Sequence, residues 1–208
     1  MEGEKSSQVE RLAVELAGLI EELAPRLEGE ADETKRYLVL VGNITGWMAE
    51  KGLGRIVVTG GFAVEVYTGR TYRTMDVDLI AESPEAADVL EKALSMVGEK
   101  LGRGYLPRWE ALAAKSIDIV SSVYDRPADP VELEVEGLKV YLDPPEVLVV
   151  RYLSGWKHWE ATEDRDKALW LLAAARRFLD RGLLETLARE AGVEDRLVEL
   201  EKLLESLG

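Results

Sequence analysis

Ile56, Val57, Val58 and Thr59 are four β-branched residues in a row, and the pair Gly60-Gly61 cuts them off. With Arg55 ahead of it, this run reads as a short buried strand over residues 55–59, and two glycines let the backbone turn sharply out of it. Phe62 to Tyr67 then reads as a short helix ended by Gly69. Residues 73–81, Arg-Thr-Met-Asp-Val-Asp-Leu-Ile-Ala, alternate as a second strand. Side chains two apart in a strand share a face, so Asp76 and Asp78 project together while Val77 and Leu79 enter the core. This succession demands a sheet with helices packed against it and excludes a purely helical fold for the segment.

The flanking regions are helical. Val9, Leu12, Ala13, Leu16, Ile20 and Leu23 follow the helical period; Ser6 or Ser7 is the expected cap and Pro25 the expected stop. Tyr37, Val41, Ile44 and Met48 form a second stripe, closed by Gly52 and Gly54. Beyond the central segment we expect a helix over 84–101 with Pro84 at its start, a strand over 116–123, and a hairpin over 131–141 turning at Glu136-Gly137. From Pro144 onward the pattern is helical, with a long helix over 164–180 and leucine stripes over 182–191 and 194–207. The stiff Asp143-Pro144-Pro145 suggests a division into 1–142, an α/β domain with N-terminal helices, and 143–208, a helical domain.

Charge narrows the partners. Lys and Arg number 26 against 40 Asp and Glu, a formal net of −14 over 208 residues, so the mean field repels polyphosphate chains and nonspecific nucleic-acid binding is not expected. A local basic pocket could still take a nucleotide. Without cysteine there is no disulfide, no thiolate zinc site and no catalytic thiol. No long uncharged apolar run suggests a membrane span, and the acidic, polar start does not resemble a secretory leader, so a cytoplasmic protein is expected. One asparagine, one glutamine and abundant Glu, Lys and Arg give a thermophilic composition.

Two adjacent carboxylates repel unless a cation lies between them, and clustered hard oxygens suit Mg²⁺. A third acid fits the same scheme. Asp118 sits in Ser-Ile-Asp-Ile-Val, with Ile117 and Ile119 on the opposite face; if the two strands are neighbours, Asp118 joins Asp76 and Asp78. The bland alternatives are a solvent-facing edge strand for the pair and a surface acid for Asp118, with Glu110 as a substitute third acid. Gly60-Gly61 suits the close approach of a phosphate to backbone N–H groups at a helix start, or simply a tight turn.

Gly60-Gly61, then Asp76-Val77-Asp78, then Asp118 on a later strand resembles the DNA polymerase β-type nucleotidyltransferase superfamily. Gly60-Gly61-Phe62-Ala63 and Arg73-Thr74-Met75-Asp76-Val77-Asp78 are most similar to its AbiEii-like, minimal nucleotidyltransferase branch. The resemblance covers roughly residues 55–120 and reaches weakly into the C-terminal helices, where Arg151 and Arg165-Asp166 sit about where that branch carries Lys and Lys-Asp. It implies an α+β nucleotidyltransferase fold, a mixed sheet with helices on one side, plus N-terminal helices and a C-terminal bundle. It also implies an enzyme that moves an NMP from an NTP to a hydroxyl of a protein, tRNA or small molecule. Two Mg²⁺ ions, with Mn²⁺ as a substitute, would be held by Asp76, Asp78 and Asp118 and clamp the attacking and leaving oxygens. Gly60, Gly61, Arg73, Thr74, Arg151, Lys157 and Arg165 would bind the nucleotide, and Trp156 or Trp159 could flank its base. For these cations and for Thr74, solvated surface and strand propensity are the competing readings. Two other functions stay open: a toxin-type nucleotidyltransferase with an antitoxin-like protein partner, and a non-catalytic nucleotide-binding scaffold. His158, the one histidine, reads as the exposed end of a helix whose Trp156 and Trp159 pack on the core.

Overall fold

The computed structural model describes residues 2–207, which group into two units. The first takes in the chain up to Phe62, Thr74–Asp125 and Pro130–Leu142; the second takes in Ala63–Arg73, Arg126–Asp129 and the chain from Asp143. Two short segments, 63–73 and 126–129, thus go with the C-terminal helices rather than with the chain around them.

In chain order the elements are α1 (Glu2–Leu27), α2 (Glu33–Glu50), β1 (Ile56–Thr59), α3 (Gly60–Tyr67), β2 (Asp76–Ala81), α4 (Pro84–Val97), β3 (Gly98–Leu101), β4 (Gly104–Pro107), β5 (Ser116–Ser121), β6 (Val131–Val135), β7 (Leu138–Leu142), α5 (Pro145–Trp159), α6 (Thr162–Ala175), α7 (Arg181–Glu190) and α8 (Glu194–Leu207). The first unit is built on one mixed sheet in the order β3-β4-β5-β2-β1-β7-β6. Its centre joins β2 to β1 antiparallel and to β5 parallel, with β7 parallel to β1; antiparallel hairpins, β3–β4 and β6–β7, form the two ends. The acid-bearing strands are therefore central, where register is held from both sides.

Helix α1 packs on α4, and α2 on β7. Leu16 and Ile20 of α1 and Val89, Leu90 and Leu94 of α4 are essentially inaccessible. Each such side chain stabilises the fold by roughly 1.5–3 kcal/mol through apolar burial. Local signals set the helix starts. Asp32 caps α2 by accepting from Lys35 N at 3.1 Å. Ser83 caps α4, accepting from Ala86 N at 3.1 Å with Pro84 at the first turn.

Three expectations are corrected. Helix α1 begins at Glu2 and runs through Pro25 to Leu27; a proline in the final turn removes a single N–H, and the helix ends two residues later. The helix expected over 84–101 stops at Val97. Residues 98–101 instead pair with β4, because Gly98 lets that strand approach so closely that a Cβ would meet Leu106 O at 2.6 Å. The helix expected over 164–180 is α6, which starts at Thr162 and ends at Ala175. At the β6–β7 hairpin, Glu136 and Gly137 both have positive φ, 53° and 79°, as a two-residue turn requires.

In the second unit α5 packs on α6 and α7, and α8 on α6 and α7. Leu148, Leu153, Leu171, Leu184 and Leu200 fill its core. Among the described residues, no helix is long and apolar enough to cross a membrane.

Candidate active site

The candidate site lies on one face of the central strands of the first unit. Thr59 ends β1 and is the register partner of Asp78 on β2, which is in turn the register partner of Asp118 on β5. One step before Asp78 along the same face, Asp76 is paired with Ser116. In-register neighbours on adjacent strands point to the same side of a sheet. Asp78 thus has a hydroxyl residue on one flank and a carboxylate on the other. The opposite face explains why the strands hold this register: Val77, Leu79 and Ile117 are buried in the core, and a slip of one residue would bury the acids and expose these side chains.

Asp76 and Asp118 each have local support. Thr74 Oγ1 donates a hydrogen bond to Asp76. Ser116 Oγ donates to Asp118 Oδ1 at 3.1 Å. Asp118 is buried, whereas Asp76 and Asp78 are half-buried. Two glycines make room for the acids. A Cβ on Gly60 would lie 2.0 Å from Asp78 Oδ2, and one on Gly104 would lie 1.7 Å from Asp118 Oδ1. Gly60 also opens α3 with φ +61°, in the left-handed region that glycine enters freely. One residue thus fulfils two demands, the turn into the helix and the space for Asp78.

Among the described residues, no three His, Cys, Asp or Glu side chains are drawn together closely enough to hold a metal ion as they stand. Asp76 is turned onto Thr74 and Asp118 onto Ser116. The donor chemistry nonetheless suits a hard divalent cation: three carboxylates share a face, hydroxyls flank them, and soft ligands are lacking. Adjacent acids on neighbouring strands repel each other until a cation neutralises them.

Other candidates have different surroundings. Glu110 is exposed in a short 3₁₀ turn, where it lines a surface hollow of about 340 Å³ with Glu28 and Arg36; Asp118 holds the place beside Asp78. In the second unit, Lys157 Nζ is bound to Asp195 Oδ1 at 2.6 Å and to Gly192 O at 2.8 Å. Arg165 is paired with its neighbour Asp166 at 2.9 Å. Arg151 is exposed on α5, and Arg73 is exposed just ahead of Thr74. Lys167 lies over the rings of Tyr72 and Tyr152, 5.0 and 5.2 Å from their centroids, with Glu163 2.8 Å away. Burial works against its charge, but Glu163 and the Tyr72 hydroxyl outweigh that and hold its pKa above the usual lysine value.

His158 is exposed, as expected, but Trp159 is exposed too, at 78%. Glu160, in the left-handed region, ends α5 immediately after it, and this leaves Trp159 outside the packed face. Trp156 lies instead beneath the Arg196 guanidinium, 4.5 Å from it. Sequence reasoning missed Ser116, Gly104 and Lys115. Only Ser116 had a signal, its position two residues before Asp118 on one strand face.

The same fold occurs in known proteins. An antigenic nucleotidyltransferase-like protein from Paracoccidioides brasiliensis is similar over 85% of this chain and 92% of its own, with a TM-score of 0.55 and 19% identity. ANT(2″)-Ia, in complex with adenylyl-2″-tobramycin, is similar over 74% of this chain and 96% of its own, with a TM-score of 0.50 and 19% identity. No family model matches the chain, and no curated protein does. The chain therefore has a nucleotidyltransferase fold, of mixed α+β architecture.

Proposed function

We propose that this protein is a metal-dependent nucleotidyltransferase that moves a nucleoside monophosphate from an NTP to a hydroxyl of an acceptor. The observation that carries this reading is the in-register pair Asp78–Asp118 on central strands, with Asp76 two residues from Asp78 on the same face. Asp76, Asp78 and Asp118 would hold Mg²⁺. When bound, Mg²⁺ would polarise the reacting phosphate and lower the pKa of the acceptor hydroxyl.

The chain's own residues do the rest. The backbone at Gly60-Gly61, at the start of α3, offers N–H groups to the anionic triphosphate, and the missing side chains allow a close approach. Asp118 accepts the proton of the attacking hydroxyl. A bond forms from that oxygen to the α-phosphorus, the α–β bridging bond breaks, and pyrophosphate leaves. Thr74 and Ser116 hold Asp76 and Asp118 in orientation.

The acceptor is a hydroxyl compound of protein, tRNA or small-molecule class. Adenylyl-2″-tobramycin, bound to ANT(2″)-Ia, makes small molecules the first class to try. α-Labelled ATP, GTP, CTP and UTP, supplied with Mg²⁺, should each be offered tobramycin, tRNA and cell extract. Label should move to an acceptor, and Asp76→Ala/Asp78→Ala should abolish both transfer and calorimetric NTP binding. Equal NTP affinity in the wild type and the double variant, with no transfer from any nucleotide, would sink the reading.

A further inference from the structure

We propose that Lys115 is a positioning residue for the metal-binding carboxylate Asp76, acting through Thr74; this rests on the nucleotidyltransferase reading of the site. Lys115 immediately precedes β5 and is 1% exposed, one of the largest fully buried side chains among the described residues. Its Nζ donates to the carbonyl oxygen of Thr74. Glu33 of α2 lies 3.2 Å from the same ammonium group. The Phe62 ring of α3 lies 5.7 Å from it. The hydroxyl of Thr74, whose carbonyl Lys115 holds, donates to Asp76.

The next residue repeats the grip. Ser116 N donates to Met75 O at 3.0 Å. Lys115 and Ser116 thus hold two consecutive carbonyls, those of Thr74 and Met75, directly ahead of Asp76. The backbone of Lys115 is itself fixed, since its N–H donates to the Tyr37 hydroxyl at 2.8 Å and that hydroxyl donates to Leu112 O at 2.6 Å.

The chemistry makes a purely structural role a poor account. A cation taken out of water incurs a desolvation penalty that its partners only partly return, and apolar replacements of similar volume commonly match buried ion pairs for stability. A methionine would fill this space. What it would not supply is a directed donor on the Thr74 carbonyl. Three rotatable donors on a fixed stem set the main chain at 74, and with it the χ1 range from which the Thr74 hydroxyl reaches Asp76. Groups that orient a metal ligand commonly change metal affinity by roughly 10–100-fold when removed.

The test uses the full chain and Mn²⁺ alone, titrated and followed by electron paramagnetic resonance. Lys115→Met should keep the far-ultraviolet circular dichroism and bind Mn²⁺ roughly 10–100-fold more weakly. Amides of residues 74–76 should also lose hydrogen-exchange protection. Lys115→Arg should fall between Lys115→Met and the wild type. Thr74→Val should weaken Mn²⁺ binding to a similar degree, and combining it with Lys115→Met should add little, because both act on one carboxylate. Should Lys115→Met fail to fold, Lys115→Arg and Thr74→Val decide the same question. Wild-type Mn²⁺ affinity in folded Lys115→Met, or fully additive losses in the double variant, overturns the proposal. Absence of Mn²⁺ binding by the wild type removes the metal site itself. In that case a crystal structure of Lys115→Met with Thr74 and Asp76 displaced upholds the positioning link, and one with them unmoved ends it.

Discussion

Asp118 lies against Gly104: a methyl group built on this glycine would come within 1.7 Å of Oδ1 and 2.7 Å of the Ile117 carbonyl oxygen. Gly104 is not among the positive-φ glycines, so its backbone accepts alanine and only the close approach excludes it. A side chain here must push the carboxylate away or part β4 from β5. We expect Gly104→Ala to lower stability by about 1–3 kcal/mol, as overpacking does. Transferase turnover should fall about 100-fold, because displacing a reacting group by an ångström has that scale of effect. Thermal melts and initial rates check both; undiminished turnover would show that Asp118 does not need its present place.

Gly60 and Gly69 separate strain from site geometry. Both have positive φ, +61° and +56°. A Cβ on Gly60 would strike Asp78 Oδ2 at 2.0 Å, whereas one on Gly69 meets nothing within 4 Å. Alanine at either position should cost about 1 kcal/mol in backbone strain. Gly60→Ala should in addition abolish transfer, while Gly69→Ala should retain it. The comparison is read from urea melts beside turnover; similar activities in the two variants would mean that Gly60 matters only as a turn.

What the sequence made legible followed from short-range periodicity. Asp76 and Asp78 share a face because a strand repeats every two residues, and Val77 and Leu79 mark the other face without any tertiary information. Asp118 stood out as an acid in an apolar strand, but its place beside Asp78 depends on β5 pairing with β2, a contact between segments some forty residues apart. Hairpin β3–β4 was hidden because the helical pattern of 84–97 continues smoothly through Glu99 and Lys100; what ends it is the close approach of Leu106 to Gly98. Lys115 carried no signal at all. A lysine before a strand reads as surface, and its burial comes from α2, α3 and the segment leading into β2 together.

Tyr37 makes stability depend on alkaline pH. Its ring is fully buried, and burial pushes the phenol up to about 12, against the opposing pull of backbone hydrogen bonds around Lys115. A folded-state value above the ordinary 10 means that the folded chain holds this proton more tightly. The associated stability is complete below pH 10 and is lost as pH rises through about 12. Tyr37→Phe should lose about 1–3 kcal/mol near neutral pH, since the Lys115 N–H and the Leu112 carbonyl give up a partner. The same variant should decline less steeply than the wild type across the alkaline window, as measured by urea melts at stepped pH. Parallel declines would assign the effect to other groups.

Asp78 is expected to trade stability for function. It stands beside Asp118 on adjacent strands, which lie about 4.8 Å apart, so two like charges face each other across one ladder step. At the effective dielectric of a half-buried site, such a pair opposes folding by an amount on the order of 1 kcal/mol or more. Asp78→Asn keeps the shape and the oxygen acceptor and removes one charge. Without divalent metal, this variant should melt at a higher temperature than the wild type. Mg²⁺ should then raise the melting temperature of the wild type, since a ligand that binds only the folded state stabilises it, and should leave Asp78→Asn almost unmoved. Differential scanning calorimetry with and without Mg²⁺ reads both effects. If the two proteins melt together without metal and rise together with it, the row of carboxylates is neither strained by its charges nor relieved by a cation.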